Sequence, residues 1–186
     1  MKIKFITGAK KRIPRVHRTH KQAKEAYDRI SGFYNLISGP FENKFRILAL
    51  KKMNIKEGES VLEIGFGTGR SLIEIAKNIG EGGQAYSIDI SLGMLNMARR
   101  RLKKKGLLRR VELCCGDALY MPYKDNVFDV IFMSFTLELF DTPEIPEVLH
   151  EVKRVLKPEG RLGVVSMSRE NGESLFLRLY EWAHRK

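Results

Sequence analysis

A nine-residue stretch, Val61 to Gly69 (VLEIGFGTG), places the strongest constraint on the fold of this chain. Its first half is β-branched and aliphatic, as in a strand that is buried on both faces. The three alternating glycines that follow supply a turn that side chains would obstruct. The next segment, Ser71 to Ile79, has its apolar residues at helical spacing. The stretch therefore predicts a strand, a glycine turn and a helix, the first unit of a nucleotide-binding sheet.

The sequence after this unit keeps alternating between strands and helices. Four further apolar segments predict strands, namely Gln84 to Ile90, Val111 to Cys115, Phe128 to Ser134 and Arg161 to Met167. Helices are predicted between them at Leu92 to Lys105 and Pro143 to Leu156, with Lys157 to Gly160 as a turn. Five strands alternating with helices predict an α/β fold with a doubly wound, mainly parallel, Rossmann-like sheet.

The length of 186 residues and a hydrophobic content of 43% favour one globular domain with a substantial core. Residues 1–22 are predicted to form a basic flexible arm, because they are highly charged and lack sustained periodicity. Residues 23–186 are predicted to be a single domain. In it, residues 23–56 supply two N-terminal lid helices and residues 57–186 the α/β core, which ends in a helix from Glu173 to Lys186.

Cysteine content and hydropathy suggest the compartment. The only cysteines, Cys114 and Cys115, are adjacent and make a poor disulfide pair, and they cannot form a metal cluster by themselves. No run approaches the roughly 20 apolar residues that cross a bilayer. We therefore expect a cytoplasmic protein without a membrane span and without a metal site.

The net charge of +12 is concentrated in two basic patches. One lies between Met1 and Lys24, where there is no acidic residue, and the other runs from Arg99 to Arg110. The patches are consistent with binding of RNA or another anionic partner, but the absence of interleaved aromatic residues and of a nucleic-acid-binding signature favours a solvated helix face and a loose tail.

Polar residues and glycines occur where the predicted strands end: Glu63, Gly65, Asp89, Asp117 and Ser134. In an open parallel sheet, ligands bind beyond the carboxyl ends of the strands, so these residues are expected to meet at one site. The glycine spacing departs from the G-x-G-x-x-G dinucleotide fingerprint and lacks the Gly-Lys-Ser/Thr of a P-loop. Asp89, about 20 residues after the turn, suits the two hydroxyls of a ribose, although an acid there can also cap a helix.

With these motifs the chain resembles the class I S-adenosylmethionine-dependent methyltransferases, in particular the ubiquinone- and menaquinone-biosynthesis type. VLEIGFGTG is similar to the first motif of that family, and SIDIS with Gly93-Met94-Leu95 to its second-strand region. GDALYMPYKDNVFDVIFMSFTL resembles the adenine-binding and fourth-strand region, and RVLKPEGRLGVVSM the fifth-strand signature. The resemblance covers roughly Tyr27 to Met167 and implies S-adenosylmethionine as cofactor, with S-adenosylhomocysteine as product.

The resemblance also implies residue roles at the methionine end of the cofactor. Gly65 and Gly67, with Phe66 between them, would let the backbone approach the methionine and ribose. Glu63 would anchor that turn near the methionine amino group, and the Ser134 carbonyl would lie near the same ammonium. Tyr27 occupies the position of a family tyrosine that reaches the carboxylate, and it is equally interpretable as a core aromatic residue.

At the adenosine end, the resemblance implies that Asp89 binds the ribose hydroxyls and that Ile90 and Met94 flank the adenine. Asp117 would accept a hydrogen bond from the exocyclic amine, and the Ala118 amide would donate to a ring nitrogen.

Methyl transfer from a sulfonium needs alignment and exclusion of water more than catalytic side chains. If the acceptor must lose a proton, Glu138, just after the fourth strand, is the nearest candidate base, with Tyr34 and His150 as further candidates. Each of these three also has an ordinary surface or packing interpretation.

The acceptor is predicted less directly. The segment after the fourth strand lacks the Asn/Asp-Pro-Pro-Tyr/Phe signature of nucleic-acid amino methyltransferases, which favours a small-molecule, quinone-like or lipidic acceptor. An RNA or protein methyltransferase and a non-catalytic S-adenosylmethionine-binding module are the alternatives. Family members usually have two further C-terminal strands, which are not predicted in this sequence, so we also predict a homodimer through an open sheet edge.

Overall fold

The computed structural model describes Glu25 and residues 39–166. The predicted basic arm, most of the first lid helix, Tyr27, Tyr34 and the predicted helix from Glu173 lie outside the described residues. The proposed division into arm, lid and core stays a prediction.

Residues 39–166 contain four α-helices and five strands, whose order along the chain follows the sequence prediction. The elements are α1 (Gly39–Met53), β1 (Ser60–Ile64), α2 (Arg70–Asn78), β2 (Gln84–Asp89), α3 (Leu92–Lys104), β3 (Val111–Cys115), β4 (Phe128–Ser134), α4 (Ile145–Val155) and β5 (Leu156–Val165). Short 3-10 turns lie at Leu108–Arg110 and Leu137–Leu139.

The fifth strand begins earlier than the sequence predicts. β5 starts at Leu156, directly after α4, and pairs there with Phe128; regular pairing resumes only at Arg161, opposite Val130. The predicted turn at residues 157–160 is therefore an irregularity inside the strand, where a proline and a glycine interrupt the ladder.

The sheet has the order β3-β2-β1-β4-β5, and all its pairings are parallel. β1 lies at the centre, and the strand order reverses between β1 and β4. The predicted doubly wound Rossmann-like architecture is confirmed. Its switch point lies beyond the carboxyl ends of β1 and β4, next to the glycine turn.

Both faces of the central strand are buried, as the aliphatic run predicted. Val61 packs into a core cluster with Leu72 and Ala98, under α1, α2 and α3. Leu62 and Ile64 pack into a second cluster on the opposite face, which includes residues of α4. Glu63 projects among the residues of the first face and is only 2% exposed. The sheet thus carries a carboxyl group inside its buried central strand.

None of the helices in the described part of the chain has the length and apolar character required to span a bilayer.

Candidate cofactor-binding site

The glycine turn after β1 adopts a conformation that side chains disfavour. Gly65, Gly67 and Gly69 have φ angles of +70°, +51° and +77°. A Cβ atom on Gly69 would lie 2.8 Å from the Ala98 Cβ, so the turn packs directly on α3. A Cβ on Gly67 would meet nothing within 4 Å. The glycines are thus needed for backbone conformation at all three positions, and Gly67 faces open space that a ligand can enter.

Asp89, at the end of β2, connects the turn to α3. Its two carboxylate oxygens accept hydrogen bonds from the backbone N–H of Gly67 (2.8 Å) and from that of Ser91 (2.9 Å). Ser91 in turn caps α3 by accepting from the Met94 N–H at 3.1 Å. A carboxylate oxygen can accept more than one hydrogen bond, so Asp89 can hold the turn and also accept ligand hydroxyls.

An open cavity of about 860 Å³ lies at the carboxyl edge of the sheet, where the sequence predicted a site. One end is formed by residues that follow β2 and β3, and the other by residues that follow β4. Its lining consists of Ile64, Gly65, Gly67, Ile88, Asp89, Ile90, Met94, Gly116, Asp117, Ala118, Ser134, Phe135, Thr136, Leu139, Phe140 and Glu144. This volume includes solvent at the open mouth of the cavity, so the lining residues rather than the size indicate which ligand the cavity takes.

The loop after β3 is held in place from behind the cavity. Asp117 Oδ1 accepts from the Leu119 N–H at 3.0 Å, which stabilises the first turn of the loop. Arg154 of α4 donates to the carbonyl oxygens of Met121 (3.0 Å) and Tyr123 (2.7 Å). Glu151 accepts from the Met121 N–H at 3.0 Å. The adenine side of the predicted site is therefore preformed.

Glu63 lies behind the glycine turn and has unusual electrostatics. Its Oε2 atom is buried and has no hydrogen-bond partner among residues 39–166. Burial raises the pKa of Glu63 to about 8; the hydrogen bond from Ser71 and the charge of Arg46 oppose this rise, and the Asp89 carboxylate adds to it. A buried carboxyl oxygen without a partner beside an open turn can receive a cationic ligand group.

The chain after β4 forms the other wall of the cavity through a strained backbone. Phe135 has a φ of +55°, in the left-handed region that a bulky residue rarely adopts. Its N–H donates to the Val165 carbonyl of β5 at 2.7 Å, and the Thr136 hydroxyl donates to the Ser134 carbonyl at 3.1 Å. The Ser134 hydroxyl is buried without a partner in the described range. Strain of this kind is concentrated at ligand sites.

Most of the predicted site residues line the cavity: Gly65, Gly67, Asp89, Ile90, Met94, Asp117, Ala118 and Ser134. Three do not. Glu63 is buried behind the turn, Phe66 is 4% exposed and packs in the core cluster of the first face, and Glu138 is outside the lining set with its Oε2 buried. The roles of all the predicted site residues, including those that line the cavity and Tyr27, stay predictions.

Sequence reasoning missed Gly116 and the residues after β4 that line the cavity, namely Phe135, Thr136, Leu139, Phe140 and Glu144. Gly116 and Phe135 could have been predicted, because each directly follows the carboxyl end of a strand, where ligands bind in a parallel sheet. Leu139, Phe140 and Glu144 reach the cavity only through the path of a 3-10 turn. Of the further candidate bases, His150 is exposed on α4 and Tyr34 lies outside the described residues.

These features define a class of protein: a Rossmann-like α/β domain with a nucleotide-type cofactor site at the switch point of its sheet. The groups present fit S-adenosylmethionine, because acceptors for ribose and adenine lie at one end and the buried Glu63 carboxyl, whose Oε2 has no hydrogen-bond partner among residues 39–166, lies behind the turn. No cluster of three or more potential metal ligands occurs in residues 39–166.

Comparison with known proteins identifies the family. A model described as "Methyltransferase domain" matches residues 61–160, more than half of the chain. A crystal structure of a SAM dependent methyltransferase from Aquifex aeolicus is 30% identical, with a TM-score of 0.62, and the match covers 86% of this chain and 87% of that one. The chain belongs to the S-adenosylmethionine-dependent methyltransferase family.

Two curated relatives carry a more specific name. Demethylmenaquinone methyltransferase from Lactobacillus johnsonii is 33% identical over 153 residues, which is 82% of this chain and 61% of that protein. The protein of the same name from Listeria welshimeri is 34% identical over 157 residues, 84% of this chain and 64% of the relative. The chain thus spans about three fifths of the length of these relatives.

A third likeness shows that the fold serves other reactions. The [4+2]-cyclase SpnF has a TM-score of 0.69 and 26% identity, covering 79% of this chain and 60% of the cyclase. Fold alone therefore does not determine the reaction.

Proposed function

We propose that this protein binds S-adenosylmethionine in the cavity and transfers its methyl group to a quinone-like or lipidic small molecule. The observation that carries the proposal is the convergence of the glycine turn, Asp89, Asp117 and Ser134 on one cavity. This convergence occurs in a chain of the methyltransferase family.

The proposed orientation follows from the polar groups of the cavity. Asp117 and the Ala118 amide would bind the adenine, and the Asp89 carboxylate would accept hydrogen bonds from the ribose hydroxyls. The methionine part would then lie against Gly65 and Gly67, with its ammonium directed at the buried Oε2 of Glu63 and the carbonyl of Ser134. This orientation places the reactive end next to the residues that follow β4.

The bound cofactor would supply a methyl group attached to a sulfonium sulfur, and that sulfur becomes a neutral thioether when the methyl group is transferred. The protein orients the acceptor in line with that bond and keeps water away. Phe135, Leu139 and Phe140 give the acceptor end an apolar lining that excludes water and suits an aromatic ring. Glu144 contributes a carboxylate to the same wall. We retain Glu138 as the proposed base and test it against Glu144.

The acceptor proposal is supported by the names of the curated relatives and by this apolar lining. The direct test is transfer of a radiolabelled methyl group to demethylmenaquinone or a short-chain analogue, together with calorimetry of S-adenosylhomocysteine binding. We expect binding and transfer, with both reduced in Asp89→Ala. Tight binding without transfer to any acceptor in a cell extract would instead identify a non-catalytic module, and failure to bind would refute the cofactor proposal.

Glu138→Gln and Glu144→Gln separate the two candidate bases. Replacing the residue that acts as the base is expected to lower kcat and to change its pH profile, while the Kd for S-adenosylhomocysteine stays unchanged. If neither variant lowers kcat, no carboxylate base is used in this part of the chain.

A second candidate, an RNA methyltransferase, is favoured by the charge of α3 and the turn that follows. Arg99, Arg100, Lys103, Lys104, Lys105 and Arg109 are all exposed. Binding to a generic RNA that weakens steeply with salt, and weakens further when Arg99 and Arg100 are neutralised, would support this candidate. Salt-insensitive or absent RNA binding would leave these residues as a solvated surface.

Two further proposals concern assembly and location. The outer edge of β5 has no strand partner among the described residues, which supports a homodimer; sedimentation that gives a monomer at high concentration would contradict it. Cys114 and Cys115 are free thiols, which supports a reducing compartment such as the cytoplasm. Fractionation of cells would test the location.

A further inference from the structure

Arg101 differs from its basic neighbours on α3. Arg99 and Arg100 are exposed, whereas Arg101 is partly buried and its side chain reaches the glycine turn. Its Nη1 atom donates to the backbone carbonyl of Thr68 (2.8 Å) and to the Thr68 hydroxyl (2.8 Å). Thr68 is 6% exposed. In the sequence, Arg101 looks like one more member of a basic patch, but it is a contact of the cofactor turn.

The position of Thr68 makes this contact consequential. Thr68 lies between Gly67 and Gly69, whose left-handed backbones have no side chains to hold them. Asp89 fixes the N–H of Gly67, and Arg101 fixes the next residue along the turn. One turn of helix before Arg101, Ala98 closes against Gly69. Thus α3 supports the second half of the turn, while β2 supports the first.

The electrostatic environment of Arg101 is unfavourable in the ligand-free protein. Burial lowers the pKa of Arg101, and the nearby charges of Arg70 and Arg46 lower it further. Burial and the neighbouring arginines therefore reduce the net stabilisation that the hydrogen bonds of Arg101 give to the turn. An anionic group bound nearby would offset this electrostatic penalty, and the proposed cofactor carries a carboxylate on its methionine part.

We propose that Arg101 is a positioning residue for the cofactor, which acts through Thr68 to hold the turn from Gly67 to Gly69 in its binding conformation. This inference rests on the proposed function. It does not require Arg101 to touch the reacting atoms. Its effect should be largest for ligands that carry the methionine part, because that part lies against the turn in the proposed orientation.

The test compares Arg101→Met with Arg100→Met, an exposed neighbour on the same helix. Calorimetry measures the Kd for S-adenosylhomocysteine and for adenosine, which lacks the amino-acid part. We expect Arg101→Met to weaken S-adenosylhomocysteine by about tenfold to a hundredfold, since the binding-competent turn becomes a minor state. Adenosine should weaken by less than about threefold, and Arg100→Met should leave both ligands unchanged.

Thr68→Val provides a second, nearly isosteric variant that removes the hydroxyl half of the contact and keeps Arg101. It should weaken S-adenosylhomocysteine by about threefold to tenfold, and should add little in the Arg101→Met background. If Arg101→Met does not fold, Thr68→Val alone decides the matter, and an unchanged Kd overturns the inference. Equal weakening of both ligands by Arg101→Met also overturns it, because this indicates a general loss of structure. Wild-type protein that binds neither ligand refutes the proposed function itself.

Discussion

The buried carboxyl of Glu63 makes a strong prediction about cofactor binding. With a pKa of about 8, Glu63 is mostly protonated at neutral pH in the ligand-free protein. The ammonium of the proposed cofactor favours the ionised form, because it would supply the partner that Oε2 lacks within residues 39–166. Binding should therefore release a proton from Glu63, and the affinity for S-adenosylhomocysteine should increase with pH.

The size of the effect follows from the ionised fraction. If only the ionised form binds, the apparent Kd is the intrinsic Kd divided by that fraction. For a pKa of about 8 the ionised fraction is roughly 1% at pH 6 and roughly one half at pH 8. The affinity should therefore rise about 50-fold over this range, with a slope near tenfold per pH unit at the lower end.

Calorimetry at pH 6, 7 and 8, in two buffers of different ionisation enthalpy, measures both the Kd and the number of protons released. Glu63→Gln should flatten the profile, and adenosine, which has no ammonium, should show little slope with wild-type protein. Glu74→Gln, at a half-exposed position on α2, is the matched control and should keep the wild-type slope. A pH-independent wild-type Kd, or a slope that survives in Glu63→Gln, would refute the reasoning.

Three further predictions concern stability and the turn. Because Glu63 has a folded-state pKa above its ordinary value of 4.5, the ligand-free protein should lose stability as pH rises from about 4.5 to 8. The loss should reach roughly 3 kcal/mol by pH 7 and be absent in Glu63→Gln on urea denaturation. Gly69→Ala should destabilise the fold by about 2–4 kcal/mol, because residue 69 has a φ of +77° and its Cβ would clash with Ala98. Gly67→Ala should lower the free energy of unfolding by only about 1 kcal/mol and should mainly impair ligand binding. Equal unfolding free energies for the two variants would contradict this prediction. Asp89→Ala should weaken S-adenosylhomocysteine by about a hundredfold, since it frees the Gly67 N–H and removes the ribose acceptor; a Kd within a few-fold of wild type would exclude that role.

The first half of the site was predictable because its signals are local. The run from Val61 to Gly69 specifies a buried strand and a turn by composition alone, and Asp89 marks the end of the neighbouring strand. Parallel pairing then brings these ends to one edge without any further information. The doubly wound, parallel architecture is likewise what the alternation of strands and helices predicts.

The second half depends on contacts that the local sequence does not encode. Phe135 lines the cavity because a left-handed backbone redirects the chain after β4, although its side chain type disfavours that conformation. Arg101 turns inward through its position relative to Ala98 and the glycine turn, while its neighbours face solvent. Leu156 extends β5 because a ladder can resume after an irregularity, whereas Pro158 and Gly160 locally predict a turn.

The hydrogen bonds from Arg154 to the loop after β3 have a consequence for the thermodynamics of binding. Because the backbone of Met121 and Tyr123 is already fixed to α4, the adenine end of the cavity need not be ordered by its ligand. Association at that end should therefore resemble docking to a rigid surface, with a heat-capacity change that reflects only the apolar area covered. Adenosine alone should accordingly bind with high efficiency for its size, and the conformational adjustment in the binding reaction should fall on the methionine end.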